Sequence, residues 1–255
     1  MALLETRGLS VRFGGNLAVS DVDLDVGAGE ITGLIGPNGA GKTTMFNLIC
    51  GVLAPTGGRV NFDGHDISRL GTHKRARRGI GRTFQRLEVF SSMTARENVL
   101  VGAEIRQGWA RSSPTGPQLL APGAELDLSA EVDLILERLG LTDVADIRVG
   151  QLPTGQARLV ELGRALAVRP RVLLLDEPAS GLDDTETHAF GALMIELAAA
   201  GLAILLVEHD VDLVMRVCSR ISVLDFGQVI ASGTAAEVQQ SAAVRSAYLG
   251  AEHMS

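Results

Sequence analysis

Cysteine, positive charge and long apolar runs are scarce in this 255-residue sequence. Cys50 and Cys218 are its only cysteines, too few for a disulfide framework, which fits a reducing cytoplasm. Lys and Arg number 23 against 30 Asp and Glu, and the net charge of −7 argues against bulk attraction to nucleic acid or an anionic membrane surface. The most apolar stretch, LAAAGLAILLV at 197–207, is too short to span a bilayer and is broken by Gly201, so the chain reads as soluble. The opening MALLETRGLS has no basic region leading into a long apolar run, so it does not read as a signal peptide. The single tryptophan, Trp109, falls in a polar stretch and carries no assignment, and no internal repeat is visible. What the chain does have is 46% hydrophobic residues and 30 glycines, a globular, turn-rich composition long enough to bury a sizeable core.

Hydrophobic periodicity divides the chain. DVDLDV (21–26) alternates, with Val22, Leu24 and Val26 on one face and three aspartates on the other, the pattern of a half-buried antiparallel strand. RVNFDG (59–64) alternates likewise and ends in an Asp-Gly turn signal. ITGLIG (31–36), VLLLD (172–176) and AILLV (203–207) are continuous apolar runs, which suit parallel strands buried on both faces. Helical spacing links Phe190, Leu193, Met194 and Leu197, with Gly201 as the C-cap, and recurs at Val211, Val214, Met215 and Cys218. Residues 221–232 read as a hairpin turning at Asp225–Gly227, and the DFG string there carries no weight by itself. Between 88 and 156 no buried-strand run occurs. Val132, Ile135, Leu136 and Leu139 mark a helix that Ser129 caps and Gly140 ends, and GWARSSPTGPQLLAPG (108–123) reads as a loop. The expected architecture is an α/β core interrupted by a smaller helical lobe.

The strongest motif is GPNGAGKT at 36–43, which matches G-x-x-x-x-G-K-[ST] between a buried strand and a helix beginning KTTMFNLI. Gly36, Gly39 and Gly41 let the backbone turn its N–H groups toward phosphate oxygens, and the helix N-terminus adds positive potential. Lys42 supplies a point charge for the β- and γ-phosphates, and the Thr43 hydroxyl suits Mg²⁺. VLLLDEP (172–178) ends a buried strand in two carboxylates that strand alternation points in different directions. Asp176 suits the metal, through water, and Glu177 suits a general base that polarises the attacking water.

Order and spacing narrow this further. After the P-loop come GIGRTFQ ending at Gln85, LPTGQ at 152–156, SGLD at 180–183 and LLVEHD at 205–210. From about Leu3 to Gly250 the chain resembles the ATP-binding-cassette (ABC) family. The resemblance implies an α/β fold with a P-loop NTPase (RecA-like) core, an antiparallel β subdomain and an inserted α-helical subdomain. The core would be 1–87 with 157–255, and the helical subdomain 88–156, ending in the signature loop. It implies ATP and Mg²⁺ as cofactors. ATP would be held by Gly36, Pro37, Asn38, Gly39, Ala40, Gly41, Lys42, Thr43 and Thr44, with Phe13 stacking on adenine, although Phe13 taken alone reads equally as core. Glu177, Gln85 and His209 would be catalytic, the last two as Q-loop glutamine and switch histidine. Thr43, Gln85 and Asp176 would hold the metal. Glu208 reads as structural. Leu152, Thr154, Gly155 and Gln156 would form the signature loop, acting in trans, and Ser180 and Asp183 the D-loop.

QLPTGQARL (151–159) puts little side chain at a helix start. The resemblance explains why: two cassettes stack head to tail, and the helix starting near Gln156 would aim its N–H groups at a γ-phosphate held by the partner. Pro153 and Thr154 depart from the family's LSGGQ string. The segments 79–102, 230–238 and 247–250 look like the ATPases of branched-chain amino acid importers. Such systems usually pair two different ATPases with two polytopic membrane permease subunits and an extracytoplasmic solute-binding protein, so the resemblance implies a second ABC ATPase, the same or a homologous chain, as partner; related systems carry other small polar or aromatic solutes. That places the chain in the cytoplasm, peripheral on the inner face of the cell membrane, with no nucleic-acid partner. The basic run HKRARRGIGR (73–82) reads as a solvated face rather than a partner-contact patch. The rival class, an ABC ATPase acting in translation or DNA maintenance, usually brings two cassettes in one chain or a long coiled coil; this chain has one P-loop and no heptad insert.

Overall fold

The computed structural model describes residues 2–109 and 127–252, so most of the loop expected at 108–123 lies outside the described residues. Along the chain run β1 (Ala2–Phe13), β2 (Asn16–Gly27), β3 (Ile31–Ile35), α1 (Lys42–Cys50), β4 (Gly57–Phe62), β5 (His65–Asp66), α2 (Thr72–Arg77), β6 (Ile80–Arg82) and α3 (Ala95–Trp109). These are followed by α4 (Leu128–Arg138), α5 (Thr154–Ala167), β7 (Val172–Asp176), α6 (Asp184–Ala199), β8 (Ala203–Val207), α7 (Val211–Val217), β9 (Arg220–Asp225), β10 (Gln228–Gly233), α8 (Ala235–Gln240) and α9 (Ala242–Glu252).

The strands form two sheets, an antiparallel one ordered β2-β1-β4-β5 and a second ordered β10-β9-β3-β8-β7-β6. In the second, β9-β3-β8-β7-β6 are parallel and β10 pairs antiparallel with β9. The apolar runs at β3, β7 and β8 are buried at every position, because helices cover both faces. In β2 the residues Val19, Val22, Leu24 and Val26 are buried while Asp21, Asp23 and Asp25 face solvent. The edge strand β6 has no counterpart in the apolar pattern: only Ile80 of its residues is buried.

Two cores flank the parallel sheet. One holds α1 between the sheets: Met45, Phe46, Leu48 and Ile49 pack with Leu4, Val22 and Phe62 of the antiparallel sheet and with Leu34, Leu174 and Leu205. Each such side chain contributes about 1.5–3 kcal/mol of burial, which fixes the helix that carries the phosphate loop. The other core packs Ile35, Leu173, Leu175, Ile204 and Leu206 against helices α3 to α9. Within it α3, α4 and α5 form a helical lobe; a Cβ on Gly163 of α5 would meet Leu139, Val99 and Ile135 at 2.9, 3.0 and 3.4 Å, so the helices touch backbone to side chain. Helix α5 runs across residues 156 and 157, joining the lobe to the sheet through one rigid rod.

Local details differ from expectation in three places. Helix α4 is capped by Asp127, which accepts from the Ala130 N–H at 2.8 Å, rather than by Ser129, which lies inside the helix. Asp and Ser cap comparably well, so the sequence left both open. Trp109 is the last residue of α3, not part of a loop, and meets His73 edge-on at 6.2 Å.

The basic run is only partly a solvated face. Lys74 and Arg78 are exposed, but Arg75 is 1% exposed. Its guanidinium donates to the carbonyls of Leu48 (2.6 Å), Ile49 (2.7 Å), Leu70 (2.7 Å) and Ser68 (2.9 Å). Two of these lie in the last turn of α1, where the Leu48 carbonyl also accepts the Gly51 N–H at 3.2 Å, so Arg75 caps the phosphate-loop helix where its dipole is negative. Arg75→Ala should therefore cost about 3 kcal/mol or more, since four carbonyls lose the guanidinium and only Leu48 keeps the Gly51 N–H as a second donor, and Arg75→Lys should recover only part, lacking the planar fork. Urea unfolding measures it; an unchanged midpoint for Arg75→Ala would remove Arg75 from this role.

Candidate functional site

At the C-terminal end of the parallel strands lies a cleft of about 530 Å³. It is lined by Asn16, Leu17 and Ala18, by residues 38–44, and by Gln85, Glu177, His209 and Phe226. The glycines that shape its floor adopt φ of 151° (Gly36), 80° (Gly39) and 106° (Gly41). A Cβ on Gly36 would sit 1.9 Å from the Leu224 carbonyl oxygen, so only glycine lets the loop pass strand β9. Helix α1 has no side-chain cap at Gly41, which leaves its first N–H groups for an anion. Lys42 is 7% exposed, and its ammonium donates to the carbonyls of Gly36 (2.7 Å) and Pro37 (3.0 Å). Burial lowers its pKa while Glu177 and Asp176 oppose the drop. Gly36 and Pro37 thus lie beneath the cleft and orient Lys42, while 38–44 face it.

The two carboxylates at the end of β7 diverge. Asp176 is 1% exposed and pairs with Arg82, whose Nη2 lies 3.0 Å from Oδ2; burial raises its pKa and the guanidinium opposes that. Glu177 leaves the strand at φ 50°, a left-handed conformation costing about 1–2 kcal/mol outside glycine, and so turns its side chain into the cleft. This turn, rather than simple alternation, separates the pair. One Glu177 oxygen lies 2.7 Å from His209 Nε2, and the other accepts from Gln85 Nε2 at 3.1 Å. Glu208 is a brace: its carboxylate accepts the N–H of Ala179 (2.7 Å) and of His209 (2.9 Å), tying β8 to the loop after β7. A carboxylate, an imidazole and an amide thus converge where an anion cradle ends, an arrangement able to hold and activate a water beside bound phosphate.

The other expected residues lie elsewhere. Phe13 stands half-exposed at the end of β1 and is not among the residues lining the cleft, although its register partner Asn16 is. Leu152 is half-buried against the helical core. Thr154 is exposed at the first position of α5, behind Pro153, which provides no side-chain cap, so that helix end also keeps its N–H groups free. Gly155 and Gln156 border a separate 290 Å³ pocket with Phe190 and Leu193. The structure does not bring LPTGQ to the phosphate cleft of its own chain. Ser180 is exposed beside Glu177 and His209, whereas Asp183 caps α6, accepting the Glu186 N–H at 2.8 Å in a reciprocal capping box.

Sequence reasoning missed the residues that couple these parts. Arg82 also donates to Asn47 Oδ1 at 2.6 Å and lies over the rings of Phe46 and Phe84. Arg158 of α5 donates to the carbonyls of Phe84 (3.1 Å) and Gln85 (2.8 Å), and Glu161 accepts the Glu88 N–H at 3.2 Å. The helix that begins at LPTGQ therefore holds the backbone of the Gln85 loop. The polar residue beside two apolar positions in ARLVELGRALA was the only signal, and it does not name a partner.

Comparison with known proteins follows this geometry. Residues 19–180 match the family model described as ABC transporter, and residues 228–254 match the one described as branched-chain amino acid ATP-binding cassette transporter. The chain is 40% identical over 249 residues to the high-affinity branched-chain amino acid transport ATP-binding protein BraF of Pseudomonas aeruginosa, covering 97% of this chain and 98% of that one. It is 35% identical over 255 residues to the lipopolysaccharide export system ATP-binding protein LptB of Escherichia coli, covering 98% of each. Among solved structures, MJ1267, an ATP-binding cassette of an ABC transporter, superposes with a TM-score of 0.84 at 34% identity, covering 97% of this chain and 99% of that one.

Proposed function

The chain belongs to the ABC transporter family as an ATP-binding, ATP-hydrolysing subunit, and from that premise we propose how its residues divide the work and what it serves. Residues 36–44 cradle the triphosphate, with Lys42 released from the Gly36 and Pro37 carbonyls to meet phosphate oxygens. Glu177 is the general base, His209 orients it and the γ-phosphate, and Gln85 senses that phosphate. Mg²⁺ fits the donor set: the Thr43 hydroxyl, the Gln85 amide and the Asp176 carboxylate are hard oxygen donors, few enough to leave room for phosphates and water. Asp176, held by Arg82 behind the cleft, reaches such an ion through water. When bound, the ion neutralises charge that develops on the β- and γ-phosphates. The observation that carries this reading is the convergence of Glu177, His209 and Gln85 on the P-loop cleft.

The cleft is half of a site. LPTGQ, with its uncapped helix end, lies off the cleft of its own chain, which supports completion by a second ABC ATPase, identical or homologous, stacked head to tail. The match at 228–254 and the BraF relative favour import of branched-chain amino acids or related small polar or aromatic solutes over the export that LptB serves. The relatives named here lend no support to the alternative in translation or DNA maintenance. No helix among the described residues is long and apolar enough to cross a membrane, which supports a division of labour in which permease subunits supply the span, this chain sits peripherally on the cytoplasmic face and a solute-binding protein lies outside. Phe84 and Phe90, 45% and 47% exposed on either side of Gln85, offer an apolar seat for a short permease helix in the groove formed with 88–102. Affinity purification from detergent-solubilised host membranes should recover a polytopic membrane protein with this chain, and Phe84→Asp/Phe90→Asp should lose it. Recovery on ribosomes without a permease would overturn the transport assignment.

A further inference from the structure

The turn between β9 and β10 places its most apolar side chain where folding has no use for it. Phe226 is 86% exposed and sits at φ 41°, and Gly227 follows at 77°. Two successive residues with positive φ make the tight hairpin turn that favours Asn, Asp or Gly at its first position. A phenylalanine there is strained and buries almost nothing within its own chain, which makes it a candidate for function rather than stability. The turn is also fixed in place: the Gly227 N–H donates to the Ala40 carbonyl at 2.9 Å, and the Gly227 carbonyl accepts the Ser20 N–H at 2.8 Å. The backbone of the turn is thus anchored to the phosphate loop, and Phe226 lines the 530 Å³ cleft together with Asn16, Leu17 and Ala18. Among the described residues lining that cleft, Phe226 is the only Phe, Tyr or Trp, and Phe13 is not one of them.

A nucleoside triphosphate has an anionic end and a flat, π-faced end. The P-loop amides and Lys42 take the first. The second needs an apolar or aromatic surface within reach of the same loop, because stacking on a ring is how proteins hold a base without reading its edges. We propose that Phe226 supplies an aromatic wall for the nucleoside of bound ATP, a role that rests on the reading of this cleft as the ATP site.

The test compares ATP with inorganic tripolyphosphate, each with Mg²⁺, by calorimetry on the wild type, Phe226→Asn, Phe226→Trp and Lys42→Ala. Asparagine tolerates the left-handed turn, so Phe226→Asn should unfold at a higher urea concentration than the wild type. It should bind ATP about 5- to 100-fold more weakly, the range that loss of one base-stacking contact gives, while tripolyphosphate affinity stays within about twofold. Phe226→Trp should bind ATP at least as tightly as the wild type. The proposal is overturned if Phe226→Asn binds ATP normally, including the case where only ATP-driven dimerisation is lost. It is equally overturned if ATP and tripolyphosphate weaken together, or if the variant is less stable, since the ring would then be serving the fold. If Lys42→Ala binds ATP as well as the wild type does, the cleft is not the ATP site, and the failure belongs to that reading instead.

Discussion

Glu177→Gln is expected to leave ATP binding intact while slowing hydrolysis by on the order of 10²–10⁴, the contribution of a positioned general base. The substitution keeps side-chain volume and removes one negative charge. Binding survives because residues 38–44 face the cleft independently of Glu177. Hydrolysis fails because the amide cannot take the proton of the attacking water. The loss should not spread to the fold. Backbone bonds hold residue 177 whatever its side chain, its N–H donating to the Val207 carbonyl at 2.8 Å and its carbonyl accepting the Ser180 N–H at 3.1 Å. Steady-state ATPase beside nucleotide binding measures both quantities, and near-normal turnover would remove Glu177 as the base.

Much of this was legible in the sequence, for reasons that differ by element. The parallel strands β3, β7 and β8 announce themselves because burial on both faces demands unbroken apolar residues. The P-loop is legible because its chemistry is local: glycines, a lysine and a threonine at fixed spacing between strand and helix. Strand β6 was not, because an edge strand with Gly81 and Arg82 carries no period. Arg75 and Arg82 were misjudged for a related reason. A run of cations reads as solvated unless something shows that its partners are carbonyls of α1 or the buried Asp176, residues far away in sequence. Phe226 was hidden inside a string whose meaning depends on what the turn packs beside, and only the fold supplies Ala40 as its neighbour.

The central claim is that the phosphate cleft of one chain is completed by LPTGQ of another, and lesions split between two chains test it most directly. One lesion is Lys42→Ala, which removes the cation of the cradle. The other should charge the signature helix without harming its own fold. Gly155→Asp is unsuitable, because a Cβ there would sit 2.5 Å from the Glu186 carboxylate and disturb the α6 capping box. Thr154→Glu is better: the residue is exposed at the first turn of α5, where an acid suits the helix dipole, yet in the proposed head-to-tail dimer it would face the partner's γ-phosphate. ATP-dependent association of the Glu177→Gln chain first establishes that competent dimers form, and where the partner is a different ATPase the two lesions are divided across that pair. Each single-lesion homodimer then has both sites broken. In a mixed dimer both lesions fall on one site and the other is intact, so random mixing of equal amounts should return about a quarter of wild-type ATPase. Mixtures as inactive as either lesion alone, from dimers shown to form, would contradict completion in trans.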